Sequence, residues 1–434
     1  MILSKVKLTD SIGLSYISTD RFKSGILSLT IPLPLSAKGS AYAMLLAGIL
    51  KRGTEKYPDI TSLNRRLDEL YASSLDIRSA RIGKNLALIL TADMLDDCYI
   101  SDECDVLDGL CELCEETLLR PRTENGIFPL SIFEQEKRFL LDSINASVNN
   151  TRAYASVRLA EMMLANDEEF PTIEELKEII NGIDSKDLTE YFFNTVLSSP
   201  IEAFYIGNTP IETVAGKLTA RFSGWKSTFG FTPVLPVAEP LCNYRRISEK
   251  MPVSQGKLAM GFKVGVCIGD RDNRHFTAIL LNEIFGGSAM SKLFMNVREK
   301  LSLCYYCSSN YNQYMGTLTV SSGIDNKNLE LVQSAILSEL KDICDGKISD
   351  AEFHAAKKAL ENSYKQIYDS AYDLQSFYGN RSFFGFNEEI DIVKDSISKI
   401  SKEDVCALAK NITLDSVFYV EASGDGEEIY DDEY

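Results

Sequence analysis

Leu280-Leu-Asn-Glu-Ile-Phe-Gly-Gly-Ser-Ala-Met-Ser-Lys-Leu-Phe-Met-Asn-Val-Arg-Glu-Lys-Leu-Ser-Leu-Cys-Tyr305 is the stretch on which the fold turns. It completes a nearly unbroken apolar run, Phe276 to Phe285, which predicts a buried helix stopped at Gly286-Gly287. A second helix follows, and Cys304 falls in a strand. Upstream, Lys257-Leu-Ala-Met-Gly-Phe-Lys-Val alternates as a strand does. Downstream come the strand Gly316-Thr-Leu-Thr-Val-Ser-Ser and a long helix from about Asp350.

The first half has the same order. It runs through a strand at Gly25-Ile-Leu-Ser-Leu-Thr-Ile-Pro-Leu, an apolar helix from Ala41 to Leu50 ending at Gly53, a strand at Ala87-Leu-Ile-Leu-Thr and a long helix from about Phe133. Each half finishes on a short strand. Three matches tie the halves together. Phe133-Glu-Gln-Glu-Lys-Arg-Phe-Leu pairs with Phe353-His-Ala-Ala-Lys-Lys-Ala-Leu, Gly182-Ile-Asp-Ser-Lys-Asp-Leu with Lys399-Ile-Ser-Lys-Glu-Asp-Val, and Ala203-Phe-Tyr with Val417-Phe-Tyr. Their common order and near-constant offset read as an internal repeat. Strands and helices interleave without strict βαβ regularity, so the expected fold class is α+β, with one sheet per domain and helices on one face. The expected division is a first domain over 1–223, a Pro-rich linker over 224–249, a second domain over 250–424 and an acidic, disordered tail over 425–434.

The chain has 434 residues, 45% of them hydrophobic and 25% charged, enough for a sizeable core. Its net charge is −18. That sign, with no basic stripe, excludes nucleic acid as a partner and favours basic peptides. No apolar run is long enough to span a bilayer, so no membrane is expected. Met1 to Gly13 does not read as a secretory signal, and ten cysteines in such a chain point to reduced thiols in the cytoplasm. Two histidines, His275 and His354, are too few for most imidazole mechanisms or self-contained zinc sites.

The Leu280–Tyr305 stretch resembles the second-domain signature of the M16 (pitrilysin/insulinase-like) metallopeptidases. The resemblance extends through the duplication to nearly the whole chain. It implies two LuxS/MPP-like α+β sandwich domains facing each other across a chamber that degrades peptides. The family's catalytic motif is His-x-x-Glu-His on the first long helix, which sets two zinc-binding imidazoles one turn apart. Aligned on Arg52-Gly53-Thr54, those three positions are Met44, Ala47 and Gly48, and the third ligand's position is Ser143. The expectation is therefore that this chain takes no cofactor itself. Zinc would belong to an HxxEH-containing M16 paralogue, its partner in a heterodimer, and the chain alone would form a homodimer at most. Glu136 matches a supporting Glu of the family and, without a metal, reads as a solvated helix residue.

The resemblance also implies roles for Arg298 and Tyr305, which have the spacing of a pair that reaches a zinc held elsewhere and binds substrate and transition state there. A guanidinium offers a fixed fork to a peptide carbonyl, and a phenol can donate to a forming oxyanion. The bland reading is a surface Arg298–Glu299 pair and an ordinary strand tyrosine. Tyr306 is the out-of-register control. Gly286 and Gly287 are candidates to grip an extended peptide, or a plain helix stop. Cys304-x-x-Cys307 looks like a redox pair, yet a strand lacks the helix N-terminus that activates such thiols, and a structural role is expected. Cys104, Cys111 and Cys114 share a helical face with Leu107 and Leu110, as core thiols do. His354 should be exposed, and His275 should lie near the start of its helix.

Overall fold

The computed structural model describes residues 3–101, 103–235, 244–270 and 272–424, and these form two compact units. The first takes residues 1–143, 171–234 and 366–389. Its sheet contains β1 (Leu3–Lys7), β2 (Ile12–Ser18), β3 (Ser24–Leu33), β4 (Ser74–Ile82), β5 (Asn85–Leu95) and β6 (Ile201–Gly207), in the order β1-β2-β6-β3-β5-β4. The Ala37–Ile49 helix is apolar nearly all round because it is buried, packing on β4 and β5 and on the Ile173–Gly182 helix. Ser36 caps it by accepting from the Gly39 N–H.

The second unit takes residues 144–170, 235–365 and 390–434. Its strands are β7 (Arg245–Met251), β8 (Gly256–Lys263), β9 (Cys304–Asn312), β10 (Thr317–Ile324) and β11 (Thr413–Ala422), in the order β7-β11-β8-β10-β9. That order repeats β2-β6-β3-β5-β4, down to the single parallel pair, β2 with β6 and β7 with β11. The repeat in the sequence is thus a repeat of topology. Its matched Phe-x-x-x-Lys has a structural cause. Lys137 donates to the Asn181 and Ile183 carbonyls at 2.8 and 2.9 Å, and Lys357 to those of Ser398 and Ile400 at 2.6 and 2.7 Å. Each ammonium closes the C-terminal end of the neighbouring helix, where carbonyls lack intrahelical partners.

Two expectations need revision. Helices do not keep to one face of each sheet, because each unit takes up a helical segment from the other half of the sequence. The Thr151–Met163 helix lays Ala155, Leu159 and Met162 on Ala259, Phe418 and Val420 of β8 and β11. Gly261 is side-chain-free there because Met163 Sδ occupies the space a Cβ would need. In the first unit the Ala371–Phe383 helix covers β3 and β6 above a cavity of about 430 Å³, lined by Ser28, Thr30, Thr91 and Glu202 among others. A sheet with two sides must cover both, and the sequence match registers descent rather than packing. Secondly, Arg245–Glu249, assigned to the linker, belongs to β7, an edge strand whose exposed alternation hides it from a hydrophobicity reading. Arg158 and Tyr154 anchor it through Glu249 at 2.7 and 2.6 Å. Finally, the proline-rich core of that linker, residues 236–243, and the 425–434 tail lie outside the described residues.

Candidate functional site

Met44, Ala47 and Gly48 meet on one wall of a cavity of about 540 Å³, with Lys51, Arg52, Arg78, Glu136 and Leu140 among the other linings. Ser143, farther along the Leu130–Ala146 helix, is exposed and does not line it. Glu136 is not a solvated residue, which corrects the expectation. Its side chain is only 11% exposed and pairs with Arg52, whose guanidinium also lies 5.5 Å from the Phe139 ring centre. A Cβ on Gly48 would run into the Glu136 Oε2. This donor set does not fit a zinc ion. Two of the three motif positions have no ligating atom, the third offers only a thioether, and a guanidinium already neutralises the nearest carboxylate. Among the described residues no three His, Cys, Asp or Glu side chains gather closely enough to hold a metal.

Arg298 lies in the last turn of the π-helical segment Leu293–Lys300. Its guanidinium stacks on Phe294 at 4.6 Å and sits 3.7 Å from Glu299, the surface contact the bland reading expects. Tyr305 is 61% exposed, and its hydroxyl donates to Asp325 Oδ1 at 3.3 Å. Tyr306 instead lies under the Arg152 guanidinium, 4.4 Å away. The strand also carries a β-bulge at this point. Cys304 pairs with Ile324 and Tyr306 with Gly323, which leaves Tyr305 as an extra residue that pairs with nothing across the ladder.

The bulge also acts on the thiols. Residues three apart in a regular strand face opposite ways. The extra residue returns Cys304 to the face of Cys307, opposite Ile324 and Ser322, two positions apart on β10. Cys307 foremost, then Ser322 and Arg298, stabilise the Cys304 thiolate against the opposing effect of burial and bring its pKa down to about 7. The Cys304 contact and burial together push Cys307 up. Sequence reasoning missed this activation because a bulge depends on the partner strand.

Gly286 is buried, and a Cβ there would meet Ser309 N and Oγ at 2.7 Å. Close packing on β9 is sufficient reason for that glycine. Gly287 is exposed, and a Cβ there would crowd Glu283 and Asn282. Neither glycine has a positive φ, so neither is the left-handed helix stop that the sequence suggested. His354 is exposed and His275 is buried in the first turn of the Arg274–Asn282 helix. Cys111 and Cys114 are buried in the Val106–Leu119 helix, as expected of core thiols, whereas Cys104 precedes that helix.

Duplicated sheets of this topology carry an ion pair beside the positions where the resemblance expects zinc ligands. Residues 182–360 match the family described as the Peptidase M16 inactive domain. The probable inactive metalloprotease YmfF of Bacillus subtilis is 26% identical over 408 residues, 94% of this chain and 95% of that one. The uncharacterized zinc protease YmxG of the same organism is 27% identical over 217 residues, 48% of this chain and 52% of that one. A conserved protein from Enterococcus faecalis has the same fold, with a TM-score of 0.88 and 24% identity, over 98% of this chain and 100% of that one. The chain is a homologue of the M16 peptidases. No helix among the described residues is long and apolar enough to cross a membrane.

Proposed function

We propose that the chain is the non-catalytic, substrate-binding subunit of a two-chain M16-type zinc peptidase, and that Arg298 and Tyr305 complete the active site of an HxxEH-containing paralogue. One contrast carries the reading. The Arg52–Glu136 pair stands among the motif positions, while Arg298, half-buried, and Tyr305, exposed, make only long polar contacts, at 3.7 and 3.3 Å. In this reading zinc belongs to the partner, the substrate is a peptide, and Gly287 offers backbone to it. The chain works in the cytoplasm and forms at most a weak homodimer alone. Arg298 holds a substrate carbonyl or carboxylate, and Tyr305 donates to the oxyanion that forms on the scissile carbonyl.

The test is reconstitution with the paralogue. Tyr305→Phe keeps the ring and should lower kcat about 10- to 100-fold without loss of assembly. Arg298→Ala should mainly raise KM, because it acts on bound substrate and transition state alike. Tyr306→Phe, whose ring already serves Arg152, should be nearly silent. Wild-type kinetics for Tyr305→Phe in an assembled, active pair would leave the alternative, a scaffold of this fold that holds peptides without cutting them.

A further inference from the structure

We propose that Cys304 and Cys307 form a redox-active dithiol that reacts with small-molecule disulfides and, on closing to a disulfide, displaces Tyr305 from its present position. Both thiols are free, Cys304 half-buried at the start of β9 and Cys307 buried behind it. The bulge at Tyr305 sets them on one face of β9, opposite Ile324 and Ser322 of β10. The outer sulfur has the stabilised thiolate and the inner one the suppressed ionisation, which is the division of labour between an attacking and a resolving thiol.

The Cys304 thiolate attacks one sulfur of a disulfide RSSR, whose S–S bond breaks and expels RS⁻. Cys307 then loses its proton, its sulfur attacks Cys304 Sγ in the mixed disulfide, and a second RS⁻ leaves. Two protein thiols are oxidised and one RSSR is reduced to two thiols. Cys304 and Cys307 lie opposite Ile324 and Ser322, two positions or ~7 Å apart along β10, at the upper end of the Cα separation a disulfide allows, so closing the bond draws the two ends of the bulge together. The residue in that bulge is Tyr305. Its loss as a substrate contact rests on the function proposed above, whereas the bond itself does not.

The experiment equilibrates the full chain in glutathione buffers of graded ratio, traps free thiols in acid and maps the peptides by mass. A reversible loss of two hydrogens between Cys304 and Cys307 is expected. Cys111 and Cys114, the latter pushed up to about 12 by burial, should stay reduced. Cys307→Ala should stop at a Cys304–glutathione adduct. A dithiol that persists in oxidised glutathione, or a wild-type chain that stops at the adduct, overturns the proposal. Alkylation of Cys304 in the wild-type chain should reach half its maximal rate near pH 7, and a midpoint at ~8.5, the ordinary thiol value, would also count against it. Hydrogen exchange along β9 should quicken around Tyr305 in the disulfide form, and an unchanged profile removes the displacement. Failure of the peptidase reading shows separately, as a silent Tyr305→Phe in the assembled pair.

Discussion

Gly48 has no side chain, and the Glu136 carboxylate takes up the space in front of it. Writing the zinc motif back with Met44→His, Ala47→Glu, Gly48→His and Ser143→Glu should therefore fail to restore stoichiometric zinc, as measured by elemental analysis. Gly48→His alone should destabilise the chain by ~1–3 kcal/mol in chemical unfolding, the usual effect of overpacking. Near one zinc per chain in the fourfold variant would contradict this account. The absence of His, Glu and His was legible from residue identity alone. The replacement was not, because Arg52 and Glu136 are 84 positions apart and only the fold joins them.

At the scale of elements, the two lysine clamps should behave as copies. Lys137→Ala and Lys357→Ala should each lower stability by ~1.5–3 kcal/mol, the range for hydrogen bonds to a charged group, and the double variant should be additive. Urea unfolding of the three variants decides this. Glu202 on β6 gives a prediction in pH. Burial raises its pKa, with Lys5 opposing, and its carboxylate lies against the backbone of Gly13. A carboxyl whose pKa is raised on folding favours the folded state when protonated, and that advantage disappears as pH rises through the folded-state value. Glu202→Gln should thus raise Tm by roughly 1–3 °C at neutral pH, with no gain below about pH 4, where both states are protonated. A Tm gain independent of pH would point to packing instead. Strands and apolar helices were readable because their periods are local. The β7 edge strand and the Tyr305 bulge were not, since pairing with another strand defines both.

For the whole molecule, the duplicated topology was legible from three short matches at a common offset, yet the units are not the halves. Fragments 1–240 and 241–434, expressed separately, should aggregate or stay open. The second leaves Phe418 and Val420 uncovered, and burying such a side chain is worth ~1.5–3 kcal/mol. Co-expressed, the fragments should purify together, and two independently folded, monomeric fragments would refute the exchange.

That exchange sets a timetable for synthesis. The first unit has all but its last segment by residue 234 but waits for the helix that closes it until residue 389 is made. At ~5–20 residues per second, that interval of about 155 residues lasts roughly 8–31 s. The surface left bare meanwhile bears Ser28, Thr30, Thr91 and Glu202, which water solvates well. The greasier surface, built on Phe418 and Val420, emerges last, when the helix that covers it has long since left the ribosome. Ribosome-stalled chains of about 300 residues should accordingly be open to protease in the first unit without clumping, so the order in which the polypeptide is born protects it from its own apolar faces.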